Sequence, residues 1–267
     1  MLPRVRATFS SRPGDAAIPV GAGPSRRLEV PILAAIPGLR HLFTVKGSDI
    51  AAALAESVGR AIPLVTLRQV HGAVVRFVGT QHAAAPAASG GPDGRDEGDA
   101  LVVGEPGIAA GVFVADCVPI LICDERRGAA AAVHAGWRGT VAGVTGAAIA
   151  ALRDRFGSTP ESLRLAFGPC IGRCCFEVGD EVIEALLQAV PGAADCVVAG
   201  PRKRVDLVEA NRRQARAAGV PEGRMQAAGL CTMCRPDLFV SYRRERGAAG
   251  RMAGIIAWRE RKEGARC

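Results

Sequence analysis

Lysines and aromatic residues are scarce in this chain, and this composition bears on whether it binds nucleic acid. Only three of the 34 basic residues are lysines, which leaves 31 arginines, and the formal net charge is +8. Aromatic residues make up 4% of the 267 residues, and no group of arginines is interleaved with them. A nucleic-acid surface typically places aromatic rings beside clustered basic groups. We therefore expect a solvated basic surface and no nucleic-acid partner.

A long uninterrupted apolar segment is also missing. The longest candidate, residues 107–123, is broken by Asp116 and Pro119, and the N-terminal residues show no signal-peptide pattern. We expect a cytoplasmic protein without membrane association, in which the nine cysteines stay reduced. Hydrophobic residues make up 49% of the chain, enough for a sizeable core.

The distribution of small and polar residues suggests one main unit. Residues 1–30 are rich in proline, glycine, serine and arginine, which predicts a loose N-terminal extension. Residues 31–267 are then expected to form a single catalytic domain. Residues 83–98 are small and polar, which is typical of a surface loop.

Apolar periodicity predicts four helices and eight strands in alternating groups. The helices are expected at 49–58, from a Thr140 cap through Leu152, at 179–190, and at 206–219, where Asp206 and Glu209 form a capping-box pattern. The strands are expected at 64–70, 73–78, 108–115, 118–123, 129–133, 163–167, 237–242 and 252–257. Strands grouped in this way favour an α+β domain with mixed sheets.

The stretch VADCVPILICDERRGAAAAVHAGWRG contains a candidate site. It predicts a hairpin with its turn around Glu125 and Arg126, which would place Cys117 opposite His134 on one face. A zinc ion binds thiolate at about 2.3 Å and imidazole at about 2.0–2.1 Å, so one ion could join the pair. A register slip of one residue would instead put the two side chains on opposite faces.

A third ligand has to come from one of the other histidines. His82 follows a glycine in a polar stretch, and His41 reads as a core residue at the start of a strand. His71 ends the segment LRQVHG, where the next glycine lets the chain turn, and is the best-placed partner. Two histidines and one cysteine leave the fourth tetrahedral position open, as in catalytic zinc sites.

Six motifs occur together in one order and cover about residues 60–258. They are LRQVHG, EGDALVV, VFVADCVPILICD, AVHAGWRGT, AFGPCIGRCCFEVGDEV and CTMCRPDLFVSYRRERGAAGRMAGIIAW. Together they resemble the YfiH family of laccase-domain proteins. The resemblance implies a single layered α/β/β/α domain with metal ligands at His71, Cys117 and His134. After HLFT the chain has VKGSDIAAALAES in place of the family's longer loop, a region expected to shape the substrate pocket.

The resemblance also implies an activity. The family's proteins are described as purine nucleoside phosphorylases with adenosine deaminase activity, once described as multicopper oxidases. We therefore expect a zinc-dependent enzyme acting on purine nucleosides and phosphate. Its candidate nucleosides are adenosine, inosine, guanosine and methylthioadenosine. A monomer and a homodimer both remain open.

The four histidines test the oxidase description. A blue-copper centre with a trinuclear cluster needs about ten imidazole ligands, so four-copper chemistry is excluded within one chain. A single Cu²⁺ ion could still occupy the same three-ligand site, because copper exceeds zinc in raw affinity, and would allow a copper-dependent phenol oxidase.

Further catalytic and substrate-binding candidates lie within these motifs. Arg138 follows His134 by four residues and Arg243 lies in the C-terminal motif; both are candidate phosphate ligands. Asp99 is expected to orient a ligand histidine or to transfer a proton.

Two alternatives use the same cysteines differently. In a Cys–His hydrolase or deamidase, Cys117 is the nucleophile and His134 its base, which leaves His71 without a role. In a non-catalytic zinc module, Cys231 and Cys234 bind a metal with partners among Cys170, Cys174 and Cys175. Small buried cysteines are the simpler interpretation of that second group.

Overall fold

The computed structural model describes residues 15–79, 96–246 and 250–259, and the predicted loop at 83–98 lies mostly outside them. Two six-stranded sheets and seven helices form the framework of this part. The helices are α1 (Pro31–Ala34), α2 (Ile50–Val58), α3 (Trp137–Val141), α4 (Val144–Phe156), α5 (Asp180–Ala189), α6 (Leu207–Ala217) and α7 (Tyr242–Glu245). No helix in these ranges is long and apolar enough to cross a membrane.

Both large sheets mix parallel and antiparallel strands. The first has the spatial order β1 (Ile18–Val20), β2 (Arg27–Glu29), β3 (Leu39–Thr44), β14 (Met252–Trp258), β7 (Ala109–Val114), β4 (Leu64–Val65). The second has the order β13 (Met225–Ala227), β10 (Leu163–Phe167), β8 (Val118–Asp124), β9 (Ala129–Ala135), β6 (Ala100–Val103), β5 (Val75–Val78). A small third sheet pairs β11 (Val197–Val198) with β12 (Arg204–Val205).

The side chains of β6 point alternately to two hydrophobic cores, which defines the layers of the fold. In β6, Leu101 and Val103 belong to the core between the two large sheets, whereas Ala100 and Val102 belong to the core under the helices. Successive strand side chains point to opposite faces, so a strand buried on both faces is apolar at every position. The second sheet therefore lies between the first sheet and a helical layer.

A fourth layer covers the other face of the first sheet. Leu54 and Val58 of α2 pack there against Leu42 of β3 and Ile255 of β14. Asp49 caps α2, because its carboxylate accepts a hydrogen bond from the Ala52 N–H at 2.9 Å. The order α/β/β/α, predicted from the motifs, is confirmed, as is the α+β class.

The N-terminal boundary differs from the prediction. Residues 15–30 are not a loose extension, because β2 pairs with β3 and places Leu28 opposite Phe43 in the core. Asp15 accepts hydrogen bonds from the Arg212 side chain and the Ala227 N–H. Buried apolar contacts and backbone pairing outweigh the coil-forming composition. Residues 1–14 lie outside the described residues.

Two local predictions are wrong and one is confirmed. Residues 237–242 form a turn and the start of α7, where Ser241 caps the helix by accepting from the Arg244 N–H. Thr140 does not cap a helix, because it lies inside α3; α4 begins only after Gly143, which has φ of 83°. Asp206 does cap α6, accepting from the Glu209 N–H at 3.0 Å.

Candidate metal centre

Three side chains from separate parts of the chain converge at one end of the second sheet. His71, Cys117 and His134 each offer a ligand atom, and these atoms lie within 4.8 Å of one another. The two imidazole rings have centroids 4.9 Å apart and are nearly perpendicular. His134 is buried and His71 is exposed, so the group opens towards solvent on the His71 side.

The hairpin β8–β9 brings Cys117 and His134 together in a register different from the predicted one. His134 lies opposite Pro119, and Val118 lies opposite Ala135, which places Cys117 across from Gly136 rather than His134. The shift is two residues. Because side chains alternate with period two, an even shift keeps Cys117 and His134 on the same face as diagonal neighbours.

Asp99 contacts both His134 and the backbone segment that carries His71. Its buried carboxylate lies 2.8 Å from Nδ1 of His134, which leaves Nε2 of that ring free to face Cys117. The same carboxylate accepts hydrogen bonds from the N–H groups of Val70, His71 and Gly72 at 3.3, 2.9 and 2.7 Å. A carboxylate with these contacts is able to orient the His134 ring, and the orienting role of Asp99 stays a prediction.

The backbone around the site is unusually constrained. His71 has φ of 62°, in the left-handed region that non-glycine residues rarely adopt, and its N–H is held by Asp99. Gly136 leaves space for the side chains of Cys117 and His71, because a Cβ there would lie 3.0 Å from both Cys117 Sγ and His71 Cδ2. Strain of this kind concentrates at functional sites.

The electrostatics favour a deprotonated Cys117. Burial raises the pKa of its thiol, but hydrogen bonds with His134 and His71 lower it by a larger amount. The resulting pKa of Cys117 is about 6. Burial lowers the pKa of His134, and hydrogen bonds with Asp99 and Cys117 raise it to about 9. Burial also raises the pKa of Asp99, yet hydrogen bonds from His134 and the Gly72 N–H bring it below its usual value.

The donor set fits a zinc ion. Thiolate and imidazole are the ligands that zinc commonly takes, and a tetrahedral site needs ligand atoms about 3.3–3.7 Å apart. Ligand atoms already within 4.8 Å need only small side-chain adjustments to reach that spacing. The same donors also accept copper.

Asp116 is a residue that the sequence reasoning missed. It directly precedes Cys117, has φ of 88° and is buried. Its carboxylate accepts from the Thr232 and Ser241 hydroxyls at 2.5 and 2.9 Å, and from the Arg243 N–H at 2.7 Å. An aspartate that interrupts an apolar segment directly before a candidate cysteine was the available signal, but its partners lie more than 100 residues away.

The two predicted phosphate ligands are both exposed. The Arg138 guanidinium lies 4.3 Å from the centre of the neighbouring Trp137 ring. The Arg243 guanidinium donates to the Glu177 carbonyl at 3.0 Å and lies 5.6 Å from the centre of the Phe176 ring. Arg243 is linked to the metal-ligand group through its backbone contact with Asp116.

The remaining histidines have different environments. His41 is buried in β3, where Nε2 accepts from the Val30 N–H at 2.8 Å, so the core role expected for it is confirmed. Burial lowers the pKa of His41 to about 3. His82 lies outside the described residues.

Comparison with known proteins identifies the family. Residues 48–259 match the family described as multi-copper polyphenol oxidoreductase laccase. The chain belongs to this family. A relative from Deinococcus radiodurans, named purine nucleoside phosphorylase, is 38% identical over 215 residues, which cover 80% of this chain and 77% of the relative.

Other relatives match over shorter segments. The purine nucleoside phosphorylase YlmD of Geobacillus stearothermophilus is 38% identical over 165 residues, 61% of this chain and 60% of the relative. Adenosine deaminase RL5, from an unknown prokaryotic organism, is 43% identical over 149 residues, 55% of this chain and 56% of the relative. The chain thus spans about 60% of the length of the YlmD relative.

Solved structures extend the similarity to nearly the whole fold. The crystal structure of YlmD from Geobacillus stearothermophilus superposes with a TM-score of 0.80 at 30% identity, covering 92% of this chain and 100% of that one. The Bacillus licheniformis YfiH structure gives 0.80 at 26% identity, covering 89% and 97%. The family resemblance drawn from the motifs is confirmed.

Proposed function

We propose that this laccase-domain protein is a zinc-dependent purine nucleoside phosphorylase, with His71, Cys117 and His134 holding the metal. The observation that carries the proposal is the convergence of these three side chains around one point. The names of its relatives, purine nucleoside phosphorylase and adenosine deaminase, support an enzyme of this family. Adenosine, inosine, guanosine and methylthioadenosine are the candidate nucleosides.

The chain's own residues define how the site is held ready. Asp99 fixes the His134 ring, so that Nε2 remains available as a ligand, and fixes the 70–72 segment that carries His71. A zinc ion bound by the three ligands would supply a Lewis acid that polarises an atom of the substrate. The exposed side of His71 gives the nucleoside a route to that position.

Phosphorolysis requires an anion site beside the nucleoside. Phosphate attacks C1′ of the ribose, the bond from C1′ to the base nitrogen breaks, and the base leaves with a proton while ribose 1-phosphate forms. The exposed guanidinium groups of Arg138 and Arg243 are the proposed phosphate donors, because guanidinium forms paired hydrogen bonds with phosphate oxygens. The RL5 relative motivates a second proposed reaction, deamination of adenosine at the same site.

The direct test is product analysis with purified protein. Adenosine, inosine and guanosine are incubated with and without phosphate, and the bases, nucleosides and sugar products are separated. We expect free base and ribose 1-phosphate only with phosphate, and inosine from adenosine in either case. Base release at the same rate without phosphate would replace the phosphorylase by a nucleoside hydrolase.

A second candidate function is favoured by one observation. Asp99, His134 and Cys117 form a chain of hydrogen-bonded side chains with the order of a cysteine-hydrolase triad, and the pKa of Cys117 is lowered. If the chain were a cysteine hydrolase, Cys117 would be a metal-free nucleophile and His71 would be dispensable for activity. Under the zinc proposal, alkylating reagents modify Cys117 slowly until a chelator removes the metal. Rapid modification of zinc-loaded protein, with retained activity in His71→Ala, would favour the hydrolase.

A further inference from the structure

A second group of four sulfur atoms lies outside the His71–Cys117–His134 site. Cys174, Cys175, Cys231 and Cys234 each offer Sγ, and all four atoms lie within 4.8 Å of one another. Cys231 is buried, Cys174 and Cys175 are partly buried, and Cys234 is exposed. Cys170, also a candidate by sequence, is fully buried and is not part of the group.

The spacing of the sulfur atoms suits a shared metal ion. Cys234 Sγ lies 3.6 Å from Cys174 Sγ and 3.4 Å from Cys175 Sγ. A tetrahedral zinc with four thiolates at about 2.3 Å separates sulfur atoms by about 3.8 Å. A disulfide needs about 2.05 Å between two sulfur atoms and would leave the other two cysteines unpaired. The observed spacing is therefore much nearer to a four-sulfur metal site.

One backbone N–H and two arginine side chains near the cluster can support thiolates. The Gly172 N–H donates to Cys231 Sγ at 3.2 Å, a contact that stabilises a negatively charged sulfur. Four thiolates with one Zn²⁺ carry a net charge of −2. Guanidinium groups lie beside the cluster, because Arg204 donates to the Cys174 carbonyl at 2.9 Å and Arg244 donates to the Met233 carbonyl at 3.3 Å.

The cluster joins two segments that are distant in sequence. Cys174 and Cys175 follow β10, whereas Cys231 and Cys234 follow β13. The segments already meet through the Thr232 N–H, which donates to the Cys170 carbonyl at 2.9 Å. Thr232 also donates its hydroxyl to Asp116, the residue before Cys117. A crosslink here would stiffen the support of the candidate catalytic site.

We propose that Cys174, Cys175, Cys231 and Cys234 bind a second, structural zinc ion that fastens these two segments together. All four ligand positions come from protein sulfur, so the site has no open position for substrate, as is typical of structural zinc. This ion is independent of the one at His71, Cys117 and His134. Zinc bound here contributes to folding rather than to the reaction.

The test counts zinc in the wild-type protein and three variants, all purified with a thiol reductant and zinc present. Metal analysis of the wild-type protein should give two zinc ions per chain. Cys234→Ser, at the exposed position, should keep one zinc ion and the purine activity but lose thermal stability. His71→Ala should also keep one zinc ion, but lose the activity. The control, Cys196→Ala, removes a buried cysteine outside both groups and should keep two.

X-ray absorption of the zinc left in His71→Ala identifies its ligands without relying on activity. We expect four sulfur ligands at about 2.3 Å and no nitrogen. A wild-type protein with one zinc ion, combined with zinc-free His71→Ala, would overturn the second site and leave the first intact. A disulfide between Cys234 and Cys174 or Cys175 in zinc-supplemented, reduced protein would also overturn it. Two zinc ions in His71→Ala would instead count against the first site.

Discussion

The Asp99 carboxylate lies 2.8 Å from Nδ1 of His134 and holds that ring in place. Its oxygens also accept from three consecutive N–H groups, those of residues 70–72, which carry the other histidine of the site. One buried carboxylate therefore contacts two segments of the candidate metal centre that are 63 residues apart in sequence, from His71 to His134.

Replacing Asp99 by asparagine should weaken zinc binding. The asparagine side chain turns an N–H₂ group towards the N–H groups of residues 70–72 and has no charge to support the imidazole. We expect zinc affinity to fall by about 10–100-fold, the usual effect of removing a carboxylate behind a metal-bound histidine. Competition with a chromogenic chelator measures the change.

Asp124→Asn is the matched control. Asp124 is equally buried and accepts from the N–H groups of Arg126 and Arg127 and from the Ser162 hydroxyl, far along β8 from the site. This variant should lose stability and keep the zinc affinity of the wild-type protein. Equal zinc affinities for Asp99→Asn and the wild-type protein would contradict the positioning role of Asp99.

Gly136→Ala should disturb the site by steric contact alone. The added Cβ would lie 3.0 Å from Cys117 Sγ and from His71 Cδ2, closer than ordinary packing allows. The backbone of Gly136, with φ of −74°, accommodates alanine without strain. We expect at least ten-fold weaker zinc binding, on the order of 1.4 kcal/mol, with the fold retained.

Gly146→Ala provides the comparison for that substitution. Gly146 lies inside α4, and a Cβ there meets nothing within 4 Å. Alanine at this position should raise the free energy of unfolding by about 0.5–1 kcal/mol and leave zinc binding unchanged. If both alanine variants bind zinc as the wild-type protein does, the close approach at Gly136 has no role in the site.

Sequence patterns predicted the hairpin and the face shared by Cys117 and His134, but not its register. The prediction paired the two residues directly, whereas the turn occupies residues 125–128 and pairs Pro119 with His134. Turn geometry sets the register, and composition does not specify it to one residue. The shared face survived because the error was an even number of residues.

Contacts between segments that are distant in the chain could not be predicted from the sequence patterns. Asp116 has several hydrogen-bond partners because the fold brings Thr232 and Ser241, from the C-terminal part of the chain, next to its carboxylate. The proline and glycine content of residues 1–30 predicted coil, but β2 forms there. The strand is stabilised because Leu28 is buried in the core. Tertiary burial overrode local propensity in that case.

The buried His41 should make the fold sensitive to acid. Its pKa of about 3 lies below the ordinary value of 6.5, so the unfolded chain binds a proton that the folded chain excludes between these pH values. Stability is unaffected by this residue above pH 6.5 and falls as the pH drops towards 3. At pH 4.5 the loss should be roughly 2–3 kcal/mol.

His41→Gln separates this contribution from those of other acid-sensitive groups. Glutamine can still accept from the Val30 N–H but does not titrate. Urea unfolding at pH 7 and pH 4.5 should show a smaller loss for His41→Gln than for the wild-type protein. Identical losses in the two proteins would show that burial of His41 has no such effect.

Removing Arg243 should raise the KM for phosphate. A hydrogen bond to a charged group contributes about 1.5–3 kcal/mol, so Arg243→Ala should raise this KM at least about ten-fold and leave zinc content unchanged. Arg138→Ala should act in the same direction. The control Arg153→Ala, an exposed arginine of α4, should match the wild-type protein. An unchanged phosphate KM in both test variants would remove these residues from the proposed phosphate site.

Zinc titration of the metal-free enzyme tests the central claim most directly. Ribose 1-phosphate formed from inosine and phosphate is measured as zinc is added to Cys234→Ser, in which only the proposed His71–Cys117–His134 site should remain. We predict no product without metal, activity that saturates at one zinc ion per chain, and no activity at any zinc level when His71→Ala is added to the same protein. Full ribose 1-phosphate formation by the metal-free protein, or by the His71→Ala double variant, would contradict the account.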